Sequence, residues 1–185
     1  DVKTDQVKTT FSEKIDFSSD FEKSIDQLTI SADGQTFVTR SGRKTIKTWD
    51  IHTGSLKATL SNPKVSEIIS MIFSPNGQTL LTNRWNETKI WNLKMGELRT
   101  ILATGYSLGG LAISPDLQTS VSSSFGTLQI WDLKTGKYKT ALVNPNDAER
   151  AYINSIAISP DGQTIVSSYS NLDNKPDSIK IWQMP

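Results

Sequence analysis

The sequence predicts an all-β chain made of one four-stranded unit repeated, and three observations carry that reading. A turn signal recurs at Ile30-Ser31-Ala32-Asp33-Gly34, Phe73-Ser74-Pro75-Asn76-Gly77, Ile113-Ser114-Pro115-Asp116-Leu117 and Ile158-Ser159-Pro160-Asp161-Gly162, each followed by Gln-Thr. A tryptophan segment follows each turn, ending on Trp49, Trp91, Trp131 and Trp182. The serines stand 43, 40 and 45 residues apart and the tryptophans 42, 40 and 51, so the two signals stay in phase.

Each element has a local cause. In Ser-Pro-Asp-Gly the proline presets φ at the first corner, the aspartate bonds its own backbone, and glycine accepts positive φ. A short apolar stretch precedes each turn, as at Ile68 to Phe73 and Ile153 to Ile158. Another follows it, at Phe37-Val38-Thr39, Leu80-Leu81-Thr82, Ser120-Val121-Ser122 and Ile165-Val166-Ser167. β-branched residues are frequent there, as strands prefer. The Trp segment is a third strand. A second turn at Thr53-Gly54, Met95-Gly96 and Thr135-Gly136 leads to a fourth, beginning at Leu56, Leu98 and Tyr138.

A meander of four short strands in about 40 residues, repeated, is the pattern of a propeller blade. The paired turn and Trp signals resemble the WD-repeat family, and Ser-Pro-Asp-Gly-Gln-Thr with Ile-Lys-Ile-Trp is similar to its bacterial branch. Val7-Lys8-Thr9-Thr10-Phe11 matches Leu56-Lys57-Ala58-Thr59-Leu60 in pattern, so the chain opens on a fourth strand, while the last repeat stops after its third. Residues 1–11 are therefore read as a closing outer strand, 12–60 as blade 1, 61–102 as blade 2, 103–142 as blade 3, and 143–185 as strands one to three of blade 4. In such propellers the terminal strand completes the last blade, which removes a sheet edge. Three assemblies fit: a closed four-blade ring, half of a four-plus-four dimer, or a fragment of a larger propeller.

The resemblance also implies a buried hydrogen-bonded tetrad of His, Ser or Thr, Asp and Trp. Here Thr39, Thr82, Ser122 and Ser167 stand with Trp49, Trp91, Trp131 and Trp182. The histidine is missing from every repeat. The aspartate position, six before each Trp, holds Arg43, Trp85, Phe125 and Pro176. Apolar packing is expected in place of the network, with Phe125 and Trp85 as candidates to fill the gap.

Composition narrows the function. Twenty Lys and Arg against 19 Asp and Glu give a net charge of +1, which suggests no nucleic-acid or membrane partner. No apolar run is long enough to span a bilayer. With no cysteine and one histidine, His52, thiolate sites and two-histidine zinc sites are excluded, and no cofactor is expected. Gly105-Tyr106-Ser107-Leu108-Gly109 fits a nucleophile elbow, but the only histidine precedes it, so it reads as a Gly-rich link.

In a propeller the strand-two-to-three loops and the links between blades emerge on one face. That face carries the irregularity here: the insertion from Ser170 to Asp177, the link from Val143 to Arg150, and the out-of-phase Trp85. Loops on a rigid scaffold concentrate binding residues, and aromatic and Arg side chains supply most interface energy. The candidate partner surface is Trp85 and Arg84, with Glu67, Tyr152, Arg150 and Asp26 around the channel mouth. The expected function is a non-catalytic scaffold for a protein or peptide, cytoplasmic, with a second copy of the chain as a further candidate partner. The alternatives are a regulatory domain of a larger bacterial signalling protein such as a kinase, or a propeller hydrolase using Asp26 and Glu67.

Overall fold

A computed structural model describes residues 10, 25–41, 45–60, 68–104, 110–143, 151–171 and 176–185. All fifteen elements among them are β-strands. The first sheet holds β1 (Ile25–Ile30), β2 (Thr36–Ser41), β3 (Thr45–Asp50) and β4 (Leu56–Leu60). The second holds β5 (Ser70–Phe73), β6 (Thr79–Arg84), β7 (Glu87–Asn92) and β8 (Glu97–Leu102). The third holds β9 (Leu111–Ile113), β10 (Thr119–Ser124), β11 (Thr127–Asp132) and β12 (Tyr138–Val143). The fourth holds β13 (Ala151–Ile158), β14 (Thr164–Asn171) and β15 (Ser178–Gln183). Every sheet is an antiparallel meander in chain order.

The turns form as the sequence predicts. Ser31, Ser74, Ser114 and Ser159 each donate their hydroxyl to the Asp or Asn two residues on, and that same oxygen accepts the Gln N–H at 3.0 to 3.2 Å. The serine oxygen also receives the N–H of Thr36, Thr79, Thr119 or Thr164 at 2.9 to 3.0 Å, which closes the clasp. At the second turn Asp50 accepts the N–H groups of His52 and Thr53, Asn92 those of Lys94 and Met95, and Asp132 that of Thr135. His52 sits exposed in that turn. Three of the outer hairpins also share an irregularity, a register shift just before Trp49, Trp91 and Trp131.

Alternation gives each sheet two unlike faces. The trailing face of one sheet packs on the leading face of the next, and this happens three times. Val38, Ile46 and Leu60 of the first sheet meet Met71, Phe73, Leu80 and Trp91 of the second. Leu81, Ile90 and Leu102 meet Leu111, Ile113, Trp131 and Leu133. Ala112, Val121, Leu128 and Ile130 meet Ile153, Ile156, Ile165 and Tyr169. Between the third and fourth sheets the backbone comes close at Gly110, where an added Cβ would lie 3.1 Å from Ile156 and 3.0 Å from the Ser123 hydroxyl. The innermost strands follow one another in the same series, β1 against β5, β5 against β9, β9 against β13. The four sheets thus stack face to face in chain order as successive propeller blades.

The closing strand assigned to residues 1–11 lies outside the described residues except for Thr10, which is exposed and in no strand.

Candidate functional site

The tetrad is half present, as the missing histidines require. All four indole N–H groups donate to the predicted hydroxyl at 2.9 Å: Trp49 to Thr39, Trp91 to Thr82, Trp131 to Ser122 and Trp182 to Ser167. The residues at the aspartate position do not fill the gap. Phe125 is 49% exposed and Trp85 38% exposed, and Pro176 is exposed as well; Arg43 lies outside the described residues. The reason is turn geometry. Each of the two aromatics is the first residue of a two-residue hairpin turn, between the pairs Arg84–Glu87 and Ser124–Thr127, so its ring stands beyond the last rung. Phe125 and Gly126 both take positive φ (39° and 72°), the backbone that matches the natural twist of a two-residue hairpin.

A different residue occupies the leading face beside the Ser or Thr. Two positions before each Trp stand Lys47, Lys89, Gln129 and Lys180. Lys89 is buried, with its ammonium 3.1 Å from Glu87. Lys180 lies 4.1 Å from the centre of the Tyr169 ring, and burial pushes its ammonium below the usual lysine range. Lys47 sits 6.0 Å from the Trp49 ring. The expected purely apolar replacement is therefore only part of what is found: cation–carboxylate and cation–ring contacts take up the space. The Lys-x-Trp spacing was the signal that could have shown it.

The candidate surface residues divide three ways. Arg84 and Trp85 sit together at the β6–β7 hairpin tip, but the Arg84 guanidinium is turned to Glu87 at 3.3 Å and is half-buried. Tyr152 is half-buried on β13, opposite Ser170, at the same end of the fourth sheet. It stands two blades along from Trp85, on the fourth sheet. Asp26 lies on β1. Glu67 and Arg150 lie outside the described residues, as do residues 105–109. Phe125, one of the two candidates to fill the gap, instead gives blade 3 an exposed aromatic tip equivalent to Trp85 on blade 2.

On the opposite, regular-turn face a cleft of about 580 Å³ opens between blades 1 and 2, bordered by Gln35, Lys57, Gln78, Lys94 and Met95. Its lining comes from five separate turns and strands, so no sequence motif marks it. Among the described residues no group of three or more His, Cys, Asp or Glu side chains could hold a metal ion. Among them, too, no helix is long and apolar enough to cross a membrane.

Known proteins share this architecture. Residues 146–183 match the family described as WD domain, G-beta repeat. The chain is 38% identical over 74 residues to Protein tipD of Dictyostelium discoideum, covering 40% of this chain and 12% of that protein. It is 29% identical to the Ribosome biogenesis protein WDR12 homolog of Drosophila persimilis and of Drosophila erecta, covering 47% of this chain and 24% of each relative. It thus spans a minor part of the length of these relatives. The fold also matches Kuenenia stuttgartiensis Hydrazine Synthase, with a TM-score of 0.74 and 17% identity over 96% of this chain and 49% of that one. Four in-phase repeats, their sheet order and the structural similarity define an all-β propeller array, whose last repeat is similar to a WD domain. The named sequence relatives are eukaryotic, so they lend the bacterial-branch expectation no support.

Proposed function

We propose that the chain is a non-catalytic interaction scaffold that holds a protein or peptide on its loop-rich end. The observation that supports this most is the exposed Trp85 ring on a two-residue hairpin tip, with Phe125 on the equivalent tip of the next blade. A rigid tip presents an aromatic ring at little entropic cost, and such rings dominate interface energies. Tyr152 borders the same end. Arg84 serves the hairpin through Glu87 rather than reaching for a partner. The scaffold works in the cytoplasm without a cofactor, and its balanced charge of +1 suits neither nucleic acid nor a membrane surface.

The test is selection of binding peptides on the native chain, followed by affinity measurement with Trp85→Ala and Phe125→Ala. A drop of about tenfold or more for Trp85→Ala is expected, equivalent to about 1.4 kcal/mol. Unchanged affinity with both variants removes this end as the binding surface.

The 12% and 24% shares of the relatives favour a second reading, in which these blades are a regulatory part of a larger signalling protein. Activity of a joined domain that responds to deletion of the blades would support it.

A further inference from the structure

The cleft between the first two blades has its cause at two positions of the fourth strand. Leu56 pairs with Trp49 and Leu98 with Trp91, so Lys57 and Ala58 of blade 1 stand where blade 2 has Arg99 and Thr100. Between blades 2 and 3 the Arg99 guanidinium crosses to the next turn and donates to the Lys134 carbonyl at 2.6 Å. Thr100 fills the space beneath that turn: a Cβ added at Gly136 would lie 3.1 Å from its hydroxyl and 3.2 Å from its methyl. Between blades 1 and 2 the Lys57 ammonium stays within its own sheet, on the Thr36 hydroxyl at 2.9 Å and the Asp50 carboxylate at 3.4 Å. Ala58 lacks the hydroxyl and methyl of threonine, and a Cβ at Gly96 would reach it only at 3.5 Å. The bridge is withdrawn and the filler is shorter, so a space of about 580 Å³ stays open. Clefts that hold ligands run from about 300 to 1,000 Å³.

We propose that this cleft binds an extended peptide segment that carries an acidic side chain next to an apolar one. Lys57 and Lys94 line it, and among its described lining residues there is no carboxylate. Asp33 and Asp50 border it, but each carboxylate is held by its own turn: Asp33 by the Ser31 hydroxyl and the Gln35 N–H, Asp50 by the His52 and Thr53 N–H groups. An ammonium has three donors, and Thr36 and Asp50 engage two of those on Lys57. Lys94 is exposed. These donors suit a carboxylate. Gln35 and Gln78 add amides that both donate and accept, as a peptide group requires of its partner. Leu93 and Met95 supply the apolar side, and Met95, 64% exposed, is a side chain that adapts its shape to what it meets. A simple anion would use the lysines alone, whereas a peptide uses the amides and the methionine as well.

The test is amide NMR of the native chain titrated with the capped peptide Gly-Gly-Leu-Glu-Gly-Gly, with its Leu-Gln counterpart, and with sodium acetate. The Leu-Glu peptide is expected to shift the Gln78, Lys94, Met95 and Gly96 amides and to leave those of Trp85 and Phe125 in place. It is expected to bind about fivefold tighter than the Leu-Gln peptide, the scale of one exposed ion pair. Lys57→Arg combined with Ala58→Thr installs the pattern that blade 2 already carries in this fold, and is expected to abolish the shifts. Lys94→Ala, at an exposed site, is expected to weaken binding about fivefold with circular dichroism unchanged, and decides the matter should the double variant fail to fold. Four results each overturn the proposal: no shift at millimolar peptide, equal affinity for the Leu-Gln peptide, the same shifts from acetate alone, or undiminished binding by either folded variant.

Discussion

At the residue scale the repeated tryptophans and glycines carry distinct energetic roles. Trp131 is buried and its indole N–H is satisfied by Ser122. Trp131→Ala removes a large core side chain and is expected to cost about 3–5 kcal/mol, read from the urea midpoint. A cost below about 1 kcal/mol would show that Trp131 is not a core residue. Gly34 and Gly77 share a left-handed backbone, with φ of 67° and 68°. Alanine at either carries the strain of that region, about 1 kcal/mol. At Gly77 a Cβ would also lie 2.9 Å from the Ser31 Cβ, while at Gly34 it meets nothing within 4 Å. Gly77→Ala is therefore expected to destabilise clearly more than Gly34→Ala, and equal melting temperatures would refute the close approach of the first two blades. The identities of these residues were legible because turn chemistry is local. The exposure of Phe125 was not, because it depends on whether a two-residue or a longer turn closes the hairpin. The Arg84–Glu87 pair was written in the sequence as opposite charges three residues apart, and only the register of β6 with β7 shows that they face each other.

At the element scale the two turns of each blade make stability depend on pH. The Ser31 hydroxyl and the Gln35 N–H hold the Asp33 carboxyl below its usual range, and Asp116 and Asp161 are held down in the same way. At the second turn the Thr53 N–H leads in holding Asp50 down to about 2. Asp132 is lowered chiefly by the Thr135 N–H. A carboxyl with a depressed folded-state pKa contributes stability above its unfolded value, about 3.9, and loses it as pH falls through the folded value. The fold is thus expected to hold its urea midpoint down to about pH 5 and to lose it steadily toward about pH 2. Blade 2 supplies its own control, since Asn76 and Asn92 make the same contacts with an uncharged amide. Asp50→Asn should therefore flatten the acid limb while keeping the turn. An acid limb unchanged in that variant would move the pH dependence to other carboxylates. Strand order and turn positions were readable from phase and spacing alone. The lysines beside the tryptophans were missed because a charged residue at alternating spacing reads as solvent-facing until the sheets are stacked.

At the scale of the whole molecule the described residues form three cores between sheets, and apolar side chains of the first and fourth sheets are exposed. Burying a side chain such as Ile179 or Ile181 contributes about 1.5–3 kcal/mol. A charge is tolerated on the end face where the equivalent inner position forbids it: Ile181→Glu is expected to leave the urea midpoint nearly unchanged, whereas Ile130→Glu lowers it steeply, and equal losses in the two variants would show that the end face is covered. The period-two pattern Ile179-Lys180-Ile181-Trp182 already placed the two isoleucines on the face opposite the tryptophan. Whether anything lies against that face is a relation between distant segments, and no local pattern encodes it.

The tight passage at Gly110 governs how closely the third and fourth sheets stack. A Cβ there would meet Ile156 and the Ser123 hydroxyl at 3.1 and 3.0 Å, so the bare backbone is what admits the fourth blade's first strand. Gly110→Val wedges that joint and is expected to lower the stability read from the urea midpoint by about 1–3 kcal/mol, the usual cost of overpacking. One missing side chain thus sets the pitch of the stack.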